Sequence, residues 1–373
     1  MAHPYTLHDV AEVFSPALVF FPSLIRANIA RVVEMAGSPS RLRPHVKTHK
    51  TREIAAMQLA AGVTKHKCAT IAEAELLASA GAPDVLLAYP VVGPTIGRLA
   101  SLARHYPAVQ FSALADQPHG VEAIAQAAAQ AGRTIGALVD LDVGQHRTGI
   151  AVGENALALY EQIARTAGLR AEGLHAYDGH NHQEAETDRL AAARASLGPV
   201  LELRSELERR GHTVPRIVAG GTPTFPMYAA MTDIPGLECS PGTYVLHDHG
   251  YGSKYHDLSK VTPAAVLVGR VISKPTSNRV TFDLGTKAVA SDPPLARRIH
   301  LLDAPEHTPV AQNEEHYIIE TPHADRYQPG DVVYALPGHI CPTVALHKEA
   351  LIAEGGKVVG RWQIVGRDRF ITI

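Results

Sequence analysis

Cysteine is scarce in this chain. Its three copies, Cys68, Cys239 and Cys341, are widely spaced and odd in number among 373 residues. That excludes a disulfide framework and points to a reducing, intracellular setting. An excess of either charge is also lacking. The formal net charge of −2 gives no reason to expect a nucleic-acid or anionic-membrane partner. No apolar run approaches the roughly 20 residues that a membrane helix requires. The first residues, Met1 to Val13, lack the basic flank and apolar stretch of a secretion signal. A soluble, cytoplasmic protein is therefore expected.

What is present is an alternation. The hydrophobic fraction of 46% and charged fraction of 19% are those of a globular chain. At this length, one large domain with a smaller companion is the natural arrangement. Short apolar or β-branched runs fall at Arg43–Val46, Thr64–Cys68, Val85–Ala88, Val109–Ala113, Ala137–Leu141, Gly173–Ala176, Arg216–Ala219 and Leu237–Cys239. Between them lie helical patterns at Thr51–Ala61, Ile71–Ala80, Val121–Ala131, Ala156–Ala167 and Thr187–Arg210. Gly62, Gly81, Gly132, Gly168 and Gly211 stand just past those patterns, where left-handed helix caps belong. Repeated strand–helix units imply parallel strands with right-handed crossovers. Eight such runs match a closed (β/α)₈ barrel over residues 22–250. A doubly wound open sheet competes with it, and strand count alone does not decide.

Beyond about Lys254 the texture changes. Segments Ala264–Ile272, Arg279–Asp283, His316–Glu320, Asp331–Ala335 and Val358–Ile364 alternate as antiparallel strands do, between Gly, Pro and Asn turns. Ala17–Phe21 can join them. A second, mainly antiparallel β domain of residues 251–373, completed by 1–21, is expected.

Two motifs carry chemistry. Lys47, in Pro44-His45-Val46-Lys47-Thr48-His49-Lys50, ends the first apolar run. A lysine held where a strand opens into a cleft can lose its proton and condense with a carbonyl. Gly220-Gly221-Thr222-Pro223-Thr224 can hold a phosphate through backbone N–H groups. Together they suggest a Schiff base to pyridoxal 5′-phosphate, which has an aldehyde at one end and a phosphate at the other. In a barrel, Lys47 after strand one, the Gly-Gly loop after strand seven and Pro241-Gly242-Thr243-Tyr244 after strand eight share the C-terminal rim, where barrel enzymes do their chemistry. Closure then makes strands eight and one neighbours.

On those residues, from Arg43-Pro44-His45-Val46-Lys47-Thr48-His49-Lys50 to Pro337-Gly338-His339-Ile340-Cys341-Pro342-Thr343, the chain resembles the D-threonine aldolase and eukaryotic-type D-serine dehydratase family of the alanine-racemase fold. The resemblance implies a barrel plus β domain, a homodimer, pyridoxal phosphate with a divalent metal beside it, and D-configured β-hydroxy amino acids as substrates. It makes Lys47 the Schiff-base lysine, where the bland reading is a solvated surface lysine. It places Tyr177 opposite the pyridine nitrogen and Arg147 against the cofactor; otherwise these are a rim tyrosine and a loop arginine. Gly220, Gly221, Thr222, Gly242 and Tyr244 match the phosphate cradle, although a Gly-Gly pair alone is usually a turn.

His339 and Cys341 match the metal ligands. In a strand or extended loop, residues i and i+2 point the same way, so imidazole and thiolate can converge. That donor pair favours zinc, with manganese or magnesium as alternatives. Family dehydratases carry cysteine at the second position and several aldolases aspartate, so Cys341 pulls toward dehydration. His180 and His182 resemble the loop that supplies the β-oxygen base, with the choice between them open. His45 and His49 flank Lys47 either as cations or as hydrogen-bonded supports. His247-Asp248-His249-Gly250-Tyr251-Gly252 is rich enough for a second metal site but more naturally shapes the rim. The leading expectation is retro-aldol cleavage to glycine and an aldehyde. Dehydration to a keto acid and ammonia is the alternative, with a racemase or a non-catalytic cofactor carrier more remote.

Overall fold

Gly132 shows how the alternation is cut. It follows the helix Pro118–Ala131 with φ +63°, while the Arg133 N–H reaches back to the Ala128 carbonyl at 3.1 Å. Such a cap needs the left-handed region, which glycine enters without a Cβ clash. The other four glycines expected to end helices also have positive φ.

The computed structural model describes residues 3–369 and 372–373. Residues 1, 2, 370 and 371, expected within the β domain, lie outside the described residues. The chain divides into two compact units. One comprises Ala30–Lys47, Arg52–Gly242 and Asp368–Ile373; the other comprises Met1–Ile29, Thr48–Thr51 and Thr243–Arg367.

In the first unit, parallel strands Lys65–Cys68, Asp84–Pro90, Gln110–Ala115, Ile135–Asp142, Leu169–Ala176, Ile217–Ala219 and Leu237–Cys239 neighbour one another in that order. The eighth expected strand, Arg43–Val46, is not continuous. It is reduced to single bridges, Leu42 to Cys239 on one side and His45 to Lys67 on the other. Pro44 explains the interruption, since it has no N–H to give a ladder. Those two bridges nonetheless join the last strand to the first, and the sheet closes. The open-sheet alternative fails on that closure.

Leu86, Leu114, Leu138 and Val218 pack together inside the barrel. A buried ion network lies beneath them. Arg43, fully buried, grips Asp84 through both guanidinium nitrogens at 2.7 and 2.9 Å and Glu238 at 2.6 Å. Arg216 bonds the same Asp84 at 3.1 Å and Glu172 at 2.8 Å. The helix Thr95–His105 was not among the expected patterns.

The second unit is built on a nine-stranded sheet. Ala17–Phe20 runs antiparallel to Ala265–Thr276 and parallel to Glu349–Glu354. The N-terminal run thus joins the C-terminal sheet, as its apolar pattern suggested. Arg279–Phe282, Tyr317–Glu320, Val332–Pro337 and Lys357–Gln363 form where expected. The short strands Ile299–Leu301 and Thr308–Gln312 were not anticipated. Val19, Phe21, Val266 and Val268 lie in the core of this sheet.

Candidate active site

Barrel closure carries the lysine to the glycine loops. The His45 N–H donates to the Pro241 carbonyl at 3.1 Å, and the Arg43 N–H donates to the Cys239 carbonyl at 2.8 Å. Lys47 therefore stands two residues beyond a segment hydrogen-bonded beside Gly242. His45 takes the Lys47 N–H on Nδ1 at 3.2 Å, and His49 takes the Thr51 N–H likewise at 3.2 Å. A ring nitrogen that accepts carries a lone pair, which an imidazolium lacks. Both histidines are thus tied to the backbone around the lysine.

Lys47, Arg147, Tyr177, Asp140, His175, Gln145 and Tyr89 are among the residues lining a cavity of about 310 Å³. That is at the lower end of the range for small-molecule sites. Tyr177 is its centre of charge. The Arg147 guanidinium lies 5.0 Å from the tyrosine ring centroid, the Lys47 Nζ 5.8 Å and the Lys67 Nζ 5.6 Å. Each is within range of attraction to the ring face. Glycines make room for this ring. A Cβ on Gly179 would come within 2.3 Å of it, and one on Gly221 within 3.1 Å.

The glycine loop is braced from below. Asp178, buried at the end of its strand, accepts hydrogen bonds from Thr224 Oγ1 at 2.9 Å and the Tyr228 hydroxyl at 2.8 Å. Gly220, with φ +76°, lies flat against Tyr228; an added Cβ would sit 2.6 Å from that ring. The Gly242 N–H donates to Thr222 Oγ1 at 3.1 Å, tying the loops after the last two strands together. Tyr244 is buried in the turn Thr243–Val245, within the second unit. The glycine cradle, the adjacent lysine and the cation-ringed tyrosine fit a ligand with an aldehyde, an aromatic ring and a phosphate.

Three residues here escaped the sequence reading. Lys67 is buried with its Nζ 3.4 Å from His175 Nε2, and His175 Nδ1 lies 2.7 Å from Asp140. Burial, reinforced by the nearby Lys47 charge, pushes the Lys67 amine down to about 7 against the pull of Asp140. Burial and then Lys67 lower His175. One signal was available: Lys65-His66-Lys67 is polar on both faces of a strand that a parallel barrel buries.

His339 and Cys341 do not lie in a strand or extended loop. His339 is the N-cap of the helix Ile340–Leu346, and Cys341 lies in its first turn. They are near enough all the same for imidazole and thiol to shift each other's proton affinity. His339 Nδ1 is 2.6 Å from Asp292 Oδ2, and Thr48 Oγ1 is 3.1 Å from the Cys341 sulfur. Burial raises the thiol, but His339 and Thr48 outweigh it and hold Cys341 below its ordinary value. Burial likewise opposes the His339 proton, yet Cys341 and Asp292 bring that imidazole up to about 9. Among the described residues, no group of three or more His, Cys, Asp or Glu side chains is placed to hold an ion.

His180 is half-buried against Gly144, with its Nδ1 lacking a hydrogen-bond partner among the described residues, whereas His182 is exposed. The histidine-rich stretch after the last barrel strand is tied by local hydrogen bonds and ring stacking. Asp248 accepts the Tyr251 N–H at 2.9 Å and the Ile340 N–H at 3.0 Å, and His249 stacks on His300 at 4.0 Å.

Comparison with known proteins agrees with this geometry. The profile of the alanine racemase N-terminal domain matches residues 22–245, and that of the "Putative serine dehydratase domain" matches residues 264–353. D-threonine aldolase from an Arthrobacter species is 31% identical across 96% of this chain and 94% of its own. The chain belongs to the D-threonine aldolase and D-serine dehydratase family of pyridoxal-phosphate lyases. Within the family, D-threo-3-hydroxyaspartate dehydratase from a Delftia species is 26% identical over 94% of this chain and 96% of its own. The crystal structure of D-threonine aldolase from Filomicrobium marinum superposes with a TM-score of 0.88, covering 98% of this chain and 99% of that one, at 26% identity. Among the described residues, no helix is long and apolar enough to cross a membrane.

Proposed function

We propose that this protein is a pyridoxal-phosphate- and divalent-metal-dependent lyase that cleaves D-β-hydroxy amino acids to glycine and an aldehyde. The observation that carries the reading is the hydrogen bond from His45 to Pro241, which sets the lysine-bearing segment beside the glycine loops. In this reading Lys47 would hold the cofactor at its aldehyde end. Gly220, Gly221, Thr222, Gly242 and Tyr244 hold its phosphate, and Arg147 and Tyr177 seat its ring. His339 and Cys341 hold the ion, zinc in preference to manganese or magnesium, because sulfur and imidazole are the donors.

Bound pyridoxal phosphate supplies an electron sink for the charge left at Cα when the Cα–Cβ bond breaks. A divalent ion on the histidine–cysteine pair supplies a positive charge that makes the substrate β-hydroxyl more acidic. The chain's own part is to take that hydroxyl proton. In this reading His180 is the base, with His182 as the alternative. Arg147 leaves its guanidinium face on Tyr177 and keeps N–H groups available for an anionic substrate group.

A second reading, dehydration to a keto acid and ammonia, is favoured by one residue. Cys341 occupies the position where the family's dehydratases carry cysteine. Incubation with D-threonine separates the two: glycine with acetaldehyde supports cleavage, and 2-oxobutanoate with ammonia supports dehydration. L-threonine serves as the control for configuration. The reading includes a homodimer, to be checked by sedimentation of the holoenzyme. It also includes a cytoplasmic setting, in keeping with three free thiols.

A further inference from the structure

His339 is not held by its own backbone alone. Its Nδ1 lies 2.6 Å from Asp292 Oδ2, 47 residues earlier in the chain. Cys341 lies two residues on, in the first turn of the helix that His339 caps. One ring nitrogen is committed to a carboxylate, which leaves the other for a ligand.

The two loops that meet here share an anchor. Arg298 Nε donates to the Pro293 carbonyl at 2.8 Å, and the Arg298 carbonyl accepts the Gly338 N–H at 2.7 Å. Asp292 precedes the first of these residues and His339 follows the second. Gly338 is pressed so closely on this segment that an added Cβ would sit 1.8 Å from the Arg297 carbonyl oxygen. Two prolines, Pro293 and Pro294, stiffen the loop just after Asp292. The carboxylate–imidazole distance is therefore fixed by backbone ties on both sides, although the Asp292 side chain is half exposed.

We propose that Asp292 is a positioning residue for metal binding, holding the His339 ring so that Nε2 presents its lone pair beside the Cys341 sulfur. A carboxylate on the far nitrogen of a ligating histidine fixes its tautomer and orientation and makes the ligating nitrogen more basic. Two protein ligands give little redundancy, so misorienting one of them is costly to affinity. The inference rests on the reading of His339 and Cys341 as metal ligands.

The test uses full-length holoenzyme stripped of metal by a chelator and titrated with Zn²⁺ against a chromophoric competitor, and separately with Co²⁺. Asp292→Asn should weaken Zn²⁺ binding by about 10–100-fold. Asp292→Glu, which can still accept the Nδ1 proton, should recover most of that loss. At saturating Co²⁺, the sulfur-to-cobalt charge-transfer band should persist in Asp292→Asn and vanish in Cys341→Ser. A merely disrupted fold would erase the band in both. Asp292→Asn binding Zn²⁺ as tightly as the native enzyme, while His339→Ala has lost it, would overturn the role of Asp292 and leave the metal reading intact. Equal Zn²⁺ binding by the native enzyme and His339→Ala would overturn both.

Discussion

Lys67 sets its Nζ 3.4 Å from His175 Nε2, while Asp140 Oδ1 lies 2.7 Å from the other ring nitrogen, Nδ1. The three residues come from three different barrel strands, and the line ends on Thr148, whose hydroxyl donates to Asp140 at 3.0 Å. The amine is the buried end of this chain, and its proton affinity is lowered to about 7.

That lowering has a definite sign in stability. Below about pH 7 both folded and unfolded chains hold the Lys67 proton, and the folded state bears the full penalty of a buried cation. Between there and the ordinary lysine value of 10.5, only the unfolded chain keeps it, so the penalty fades as pH rises. Lys67→Met removes the titration. Its stability relative to the native protein should be most favourable near pH 6 and least favourable near pH 10. Denaturant midpoints of both proteins across that range measure the difference, and a gap that does not change with pH would contradict it.

Gly220 and Gly221 should not tolerate alanine. At Gly220 a methyl meets Tyr228 at 2.6 Å, and the backbone is left-handed at φ +76°. At Gly221 it meets Tyr177 at 3.1 Å. Overpacking of this kind costs about 1–3 kcal/mol, and the left-handed backbone adds about 1–2 kcal/mol at Gly220. Gly220→Ala should therefore lower the unfolding midpoint more than Gly221→Ala. Gly221→Ala should act chiefly on cofactor retention, read as pyridoxal phosphate lost on gel filtration.

The barrel and the second sheet were legible because their signals are local. Helix periods, glycine stops and β-branched runs each report on a few neighbouring residues. The first strand was only half legible, since Pro44 leaves two bridges where an apolar run promised a ladder. Lys47, Tyr177 and the glycines could be named because each lies at a strand end in a distinctive motif. Lys67, Asp140, His175 and Asp292 could not, because their meaning arises from contacts across 35 to 108 residues of chain. His339 and Cys341 were named through the family resemblance, and the extended backbone expected for them is a helix start instead. In both arrangements the two side chains converge.

Lys47→Ala should abolish the covalent link without unfolding the barrel, since Lys47 is only half-buried. Borohydride reduction of native holoenzyme followed by peptide mapping should place a pyridoxyl group on Lys47. The variant should show none there and lose about 10²–10⁴-fold in kcat/KM. An adduct on Lys67, the other amine near the Tyr177 ring, would reassign the site.

Chelation should separate the two cofactors. Dialysis against a strong chelator should stop turnover of D-threonine while the visible absorbance of bound pyridoxal phosphate remains, and Zn²⁺ should restore the rate. His339→Ala should mimic the chelated state without rescue. Turnover that survives chelation unchanged would remove the metal from the reaction.

Arg43 should matter to stability rather than to turnover. Its guanidinium is buried between Asp84 and Glu238, and both carboxylates would remain if it were removed. Burial alone would favour losing the proton, but the two carboxylates overrule it and raise Arg43 further above its ordinary value. Breaking a buried pair by deleting one partner costs about 3–5 kcal/mol, because the other charge is left uncompensated. Arg43→Met keeps the apolar stem and should fall toward the lower end of that range, measured by denaturant unfolding near pH 7, because Arg216 still pairs with Asp84 and Lys65 with Glu238. Part of the loss should return near pH 4, where Asp84, no longer held down by Arg43, takes up a proton more readily. A loss of equal size at both pH values would mean that packing of the stem, not charge, is what Arg43 contributes.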